Sequence, residues 1–147
     1  MKDAALSREV VSNLLVLVLA ATIMILNETS LSVALPSIMA DFSIPATSAQ
    51  WLTTGFMLTM GVVIPTTGFL LERLTTRQIF GIATGLFLTG TVVAALAPVF
   101  AILLLGRVIQ AAGTALILPT LMTVAMTLVP PQRRGTVMGV ISVVIAV

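Results

Sequence analysis

The chain is almost entirely apolar, divided into long runs by a few prolines and charged clusters. The first run, residues 13–35, reaches roughly 30 Å as a helix, the thickness of a bilayer's hydrocarbon core. It is expected to end at Pro36, because proline disfavours helical geometry in the residue before it. A short loop, residues 36–47, carries Asp41 as its charge. Thr47 with Gln50 reads as a capping box opening a second span, 48–71, with Trp51 at the interface and Pro65 inside, where a kink is expected. Thr75 and Gln78 repeat the pattern before a third span, 78–96, whose Gly81 and Gly85 form a GxxxG step expected to mark close helix packing. The fourth span, 98–129, is longer than a bilayer requires and implies tilt. After the polar turn Pro130–Gly135, residues 136–147 extend only about 18 Å, the start of a fifth span. The period-two alternation of a membrane β-strand is absent. The pattern therefore predicts an all-α, polytopic transmembrane helix bundle of four full spans plus the start of a fifth, behind a polar leader at residues 1–12.

Composition agrees with this reading and narrows the chemistry. The chain is 59% hydrophobic and 8% charged, with a mean hydropathy of +1.20, and cannot cover a soluble core with polar surface. The absence of Cys and His removes disulfides, a Cys/His metal site, a thiol nucleophile and an imidazole base. With no pair of intramembrane carboxylates either, an enzyme is the least favoured class. The first run exceeds a usual signal-peptide core and is followed by further spans, so it reads as a retained helix.

Basic residues report topology rather than nucleic-acid binding, which would need them gathered on an exposed face. Lys2, Arg8, Arg73, Arg77, Arg133 and Arg134 all fall on one side if four spans alternate, and none falls in the opposite loops. The positive-inside rule makes that side cytoplasmic. The expectation is a multi-pass protein of the cell membrane with a cytoplasmic N-terminus and the lipid bilayer as its first partner.

Two charges remain within the spans, Glu28 and Arg107. A charged side chain near the bilayer centre costs about 3 kcal/mol on insertion scales, and protonating a reference glutamate at pH 7 costs about 3.7 kcal/mol. The costs are comparable, so a carboxylate placed there can be tipped between charged and neutral by hydration or by an arriving cation, as proton-coupled transport requires. Glu28 lies about 10 Å below Leu35 and Arg107 about 13 Å past Pro98, so the two share a depth and are expected to face the bundle interior. Asn27 and Ser32 flank Glu28; Gln110 and Thr114 form a polar stripe with Arg107. The plainer alternative is an ion pair that only fixes helix register.

Four segments resemble the major facilitator superfamily, and within it the bacterial drug/proton antiporters of the fourteen-span branch. Asn27-Glu28-Thr29 followed by Val33-Ala34-Leu35-Pro36 is similar to the first-helix signature of that branch. The usual acid stands two residues before the Thr, where this chain has Asn27, so Glu28 lies about 100° further round the helix. Gly68-Phe-Leu-Leu-Glu72-Arg73-Leu-Thr75-Thr76-Arg77 resembles the loop motif between helices two and three, with Gly68, Leu70, Arg73 and Arg77 retained and Glu72 in place of Asp. Arg107-Val-Ile-Gln110-Ala-Ala-Gly113 resembles the fourth-helix motif, with Ala111 replacing a Gly. Pro130 to Gly139 resembles the loop into helix five, beyond which an antiporter signature is expected.

The resemblance implies a secondary active transporter that exports small lipophilic or cationic compounds as protons enter, with the proton gradient as energy source and no cofactor or metal. It implies proton coupling and substrate contact at Glu28, Asn27, Arg107 and Gln110, and a cytoplasmic gate at Gly68, Glu72, Arg73 and Arg77. The chain then reads as the amino-terminal piece of a transporter whose C-terminal remainder is a necessary partner. Two other readings stay open: a small four-helix proton-coupled exporter acting as a dimer, and a non-transporting membrane assembly subunit in which Glu28 and Arg107 are pairing handles.

Overall fold

A computed structural model describes residues 8–145. The first seven residues of the expected leader and the last two of the fifth run lie outside the described residues. Six helices follow in order: α1 (Arg8–Asp41), α2 (Ala46–Ala49), α3 (Trp51–Arg73), α4 (Thr76–Ala95), α5 (Phe100–Leu128) and α6 (Pro131–Ile145). No strand occurs among the described residues. Four apolar stretches are long enough to cross a membrane: α1, α2 with α3, α4, and α5.

The first helix does not end at Pro36. That proline lies inside α1, with its ring on an exposed face, so its lost hydrogen bond displaces no neighbouring helix. Termination comes at Ser43, whose φ of 51° is left-handed. There the Ile44 amide reaches back to the Met39 carbonyl (3.1 Å) and the Ser43 amide to that of Ala40 (3.2 Å), the two bonds of a Schellman stop. The 36–47 loop is correspondingly shorter than expected.

Of the two expected capping boxes, one forms. The Gln78 amide donates to Thr75 Oγ1 at 3.3 Å and the Thr75 amide to Gln78 Oε1 at 3.0 Å, which closes the start of α4. At the second span Pro45 is the cap residue and no side chain caps the helix. Thr47 is already inside α2, too late in the turn for the role. Pro65 and Pro119 both remain within continuous helices.

Helix α5 is the hub. It packs against α1, α3, α4 and α6 and buries residues along its length from Gly106 to Ala125. The α4–α5 contact is backbone against backbone. A Cβ placed on Gly113 would stand 2.5 Å from the Ala83 carbonyl oxygen, one on Gly106 would stand 2.7 Å from the Ala94 amide, and one on Gly90 2.6 Å from the Gln110 amide. Gly81 and Gly85, the step singled out in the sequence, meet nothing within 4 Å. Close approach therefore runs through Gly90, Gly106 and Gly113, as expected of small residues at intramembrane interfaces.

Helix α1 lies on this pair along Leu14, Leu17, Ala21 and Met24, all buried. Their spacing of three, four and three residues is a heptad stripe, and Glu28 is its next position. Shared lining residues show the helices alternating in direction. The starts of α1 and α4 meet the end of α5 around Asn13, Thr76 and Leu128, while the later part of α1 meets the end of α4 and the start of α5 around Ala34, Ala95 and Leu103.

Gly113→Ala is expected to lower stability by about 1 to 3 kcal/mol through overpacking, seen as a lower thermal midpoint in detergent. Gly85→Ala, whose methyl meets nothing, leaves the midpoint unchanged or slightly raised. Equal effects from both would remove the Gly90–Gly106–Gly113 seam as the determinant of packing.

Candidate functional site

The site is built around Arg107, placed on the inward side of α5 with only 3% of its side chain exposed. A guanidinium cannot shed its charge in a protein, so every surrounding element must supply a partner. Helix α1 supplies two: Glu28 Oε2 accepts from Arg107 Nη2, and Asn27 Oδ1 accepts from Nη1 at 3.2 Å. Helix α5 supplies Gln110, one turn on, whose Oε1 accepts from Nη1 at 3.0 Å. Helix α3 supplies an aromatic face, with the guanidinium carbon 4.6 Å from the centre of the Phe56 ring, a cation–π arrangement strengthened by burial. Helix α4 enters through Thr91, whose Oγ1 accepts from Gln110 Nε2 at 2.8 Å. Arg107 Nε has no partner among the described residues.

Beside this cluster opens a cavity of about 330 Å³ lined by Asn27, Ser30, Thr91, Arg107 and Gln110, with Leu31 and Leu103 among its apolar walls. Glu28 is 30% exposed against 3% for Arg107. The carboxylate is thus the partner this chain leaves partly uncovered, and the cation is the one packed in, with the cavity at its edge. An ion pair of this kind is costly to break from one side only.

The structure brings together four of the expected site residues: Asn27, Glu28, Arg107 and Gln110. The displaced acid reaches Arg107 because Glu28 continues the α1 packing stripe, while Asn27, one position back, still meets the same guanidinium. Leu35 was no guide to depth, since α1 runs on to Asp41; contact with Arg107 sets it instead.

The expected gate residues are not brought into one cluster. Gly68 and Glu72 are exposed, the Arg73 guanidinium stacks on Phe69 at 4.5 Å, and Arg77 lines a separate cavity of about 560 Å³ with Asn13, Thr76 and Phe80. Among the described residues the ion pair present is Glu28–Arg107, and Glu72 and Arg77 form none.

Sequence reasoning missed Phe56 and Thr91. Nothing marks Phe56 among the apolar residues of α3, and Thr91 is one of several threonines on α4. Only the helix packing separates them from their neighbours.

A bundle of membrane-spanning helices holding an ion pair with a buried arginine, beside a largely apolar cavity, fits a multi-pass membrane transporter domain. The chain belongs to the Major Facilitator Superfamily, whose family description matches residues 17–147. It is 48% identical over 131 residues to YcnB, an uncharacterized MFS-type transporter of Bacillus subtilis, with 89% of this chain and 28% of the relative covered. It is 43% identical over 127 residues to the lincomycin resistance protein LmrB of Listeria monocytogenes, covering 86% of this chain and 27% of that protein. The multidrug export protein EmrB of Haemophilus influenzae is 29% identical over 133 residues, covering 90% and 26%. The chain thus spans about a quarter of the length of these relatives. No solved structure matches it.

The two partners of the ion pair are expected to respond unequally to removal. In Glu28→Leu the buried guanidinium stays charged without its counter-ion, a loss of about 3 kcal/mol, whereas in Arg107→Met the exposed carboxyl can take a proton. Thermal midpoints in detergent should therefore fall further for Glu28→Leu, and the double variant should recover part of that loss. Equal effects from the single variants would exclude this asymmetry.

Proposed function

We propose that this chain forms part of a proton-coupled exporter of small lipophilic or cationic compounds, working by alternating access. The observation that carries the reading is the Glu28–Arg107 pair within the spans, a partly exposed carboxylate joined to a buried cation that borders a cavity. Ionisable residues within spans mark ion and substrate pathways. The names of LmrB and EmrB, which record drug resistance and export, support the same direction.

In this reading Glu28 exchanges a proton for substrate. When it is charged, Arg107 neutralises it. When it takes a proton, Arg107 is left with Asn27, Gln110 and Phe56, which stabilise the cation without competing for the proton. The cavity then loses negative charge, so a bound cation is released as a proton enters, and return of the charge draws the next cation in. The apolar walls at Leu31 and Leu103 suit a lipophilic body.

The gate assignment to Gly68, Glu72, Arg73 and Arg77 belongs to the same proposal. Their exposure leaves Glu72 and Arg77 free to contact protein that closes this end of the bundle, and Arg73 on Phe69 gives the loop a rigid edge. The concentration of cations at that end supports its placement in the cytoplasm, with the chain crossing the bilayer through α1, α2 with α3, α4 and α5 in turn. The cavity is open at its side, so the reading requires further protein to complete the transport path, consistent with relatives about four times the matched length.

In proteoliposomes carrying the full transporter, Glu28→Gln is expected to abolish ethidium export driven by an imposed pH gradient while the variant still inserts and purifies. Ethidium export in the variant at the wild-type rate would remove Glu28 from the mechanism.

A further inference from the structure

Helix α5 carries Pro119 inside it. Proline has no N–H, so the carbonyl of Ala115, four residues back, has no partner within the helix. Ala115 is fully buried in a span where water cannot take the missing place, and another donor must supply it. Thr67 of α3, also fully buried, stands against it: its hydroxyl lies 3.0 Å from the Val63 carbonyl of its own helix and 3.5 Å from that of Ala115. The hydroxyl has one hydrogen to give. The shorter distance marks Val63 as its present acceptor and Ala115 as the one in waiting. Thr22, Thr59 and Thr66 donate within their own helices; among the described residues Thr67 is the threonine that donates to a carbonyl of a second helix.

The two sides of Pro119 are held differently. On the side of Phe100, Gly106 and Gly113 press the α5 backbone against α4, where an added Cβ would stand 2.7 Å from the Ala94 amide and 2.5 Å from the Ala83 carbonyl oxygen. Arg107 and Gln110 lie in this clamped part. From Pro119 to Leu128 there is no glycine, and Val124 and Leu128 border the cavity of about 560 Å³ together with Asn13, Thr76 and Arg77. The directions agree as well. A proline ring pushes off the carbonyl four residues back, so the helix bends away from the side on which both stand. Ala115 faces α3, and Val124, nine residues on, lies about 180° round the helix from it. Bending away from α3 therefore carries the Leu128 end of α5 into the cavity and frees the Ala115 carbonyl further for Thr67.

We propose that the turn from Ala115 to Pro119 is a hinge in α5 and that Thr67 is its latch. With the Thr67 hydroxyl on Val63 the cavity beside Asn13 and Arg77 stands open, the arrangement seen here. With the hydroxyl on Ala115, the segment from Pro119 to Leu128 bends away from α3 and narrows that cavity. Arg134 Nε donates to the Val129 carbonyl at 3.0 Å, so the start of α6 travels with the moving segment. The Glu28–Arg107 pair lies on the clamped side of the hinge and keeps its partners through the change. The device opens and closes one end of the bundle without unpairing the site, and it does not rest on the proton-coupled reading.

The test is a dipolar EPR distance across the cavity, between spin labels on Thr76→Cys and Thr127→Cys, both exposed positions, in the full transporter in nanodiscs with any other cysteine replaced. Two distances are expected, the shorter belonging to the latched form. Thr67→Val, which keeps the shape and loses the donor, should cut the shorter population roughly fivefold, the net effect of one hydrogen bond. Thr67→Ser, which keeps the hydroxyl, retains the wild-type distribution. Pro119→Ala restores the amide that the Ala115 carbonyl lacks, so it should also remove the shorter population, and adding Thr67→Val to it should change nothing more. If Thr67→Val does not fold, Thr67→Ala against Thr67→Ser carries the comparison. One unchanged distribution in wild type, Thr67→Val and Pro119→Ala overturns the hinge. Loss of the shorter distance in Pro119→Ala but not in Thr67→Val overturns the latch. Either failure leaves the role of Glu28, read from export, untouched.

Discussion

The constraint on which this bundle depends is a charge that cannot be removed. Arg107 is 3% exposed in the most buried helix, and unlike a carboxyl or an amine it has no neutral form to retreat to. Three of the helices packed on α5 therefore answer to it, through Glu28 and Asn27 from α1, the Phe56 face from α3, and Thr91 from α4 behind Gln110 of α5 itself. A buried pair of this kind adds little net stability over an apolar core, since desolvation offsets most of the attraction. Its value lies in what it makes conditional.

That condition rests on the unequal placement of the partners. Glu28 has a neutral form and is 30% exposed; Arg107 has none and is 3% exposed. The neutral oxygens of Asn27 and Gln110 and the Phe56 ring hold the cation from its other sides. The glycine seam between α4 and α5 serves the same end. Gly90 and Gly106 bring the two backbones close enough for Thr91 to reach Gln110, so packing and electrostatics are one arrangement.

Much was legible in the order of residues alone. Apolar run length against bilayer thickness settled an all-helical, multi-pass architecture, because backbone polar groups have no other partners in hydrocarbon. The rarity of charge within the runs singled out Glu28 and Arg107, and the Thr75–Gln78 capping box was local enough to be correct. Helix ends were less legible. Pro36 did not stop α1, because its ring faces outward where a lost hydrogen bond disturbs no packing, and Thr47 did not cap α2, because the chain turned into the helix one residue earlier.

What the tertiary structure alone decided was which face each helix turns inward. In a span that is apolar on every side, periodicity carries no direction, so nothing in the sequence separates the Leu14–Leu17–Ala21–Met24 stripe from its neighbours or shows that Glu28 extends it. For the same reason Gly81 and Gly85 looked like the contact while Gly90, Gly106 and Gly113 made it, and Phe56 and Thr91 were indistinguishable from other residues of their type. Composition and spacing determined that a charged pair would lie within the membrane-spanning helices. Only the packing of four helices around α5 determined which groups hold it, because those contacts join positions up to eighty residues apart along the chain.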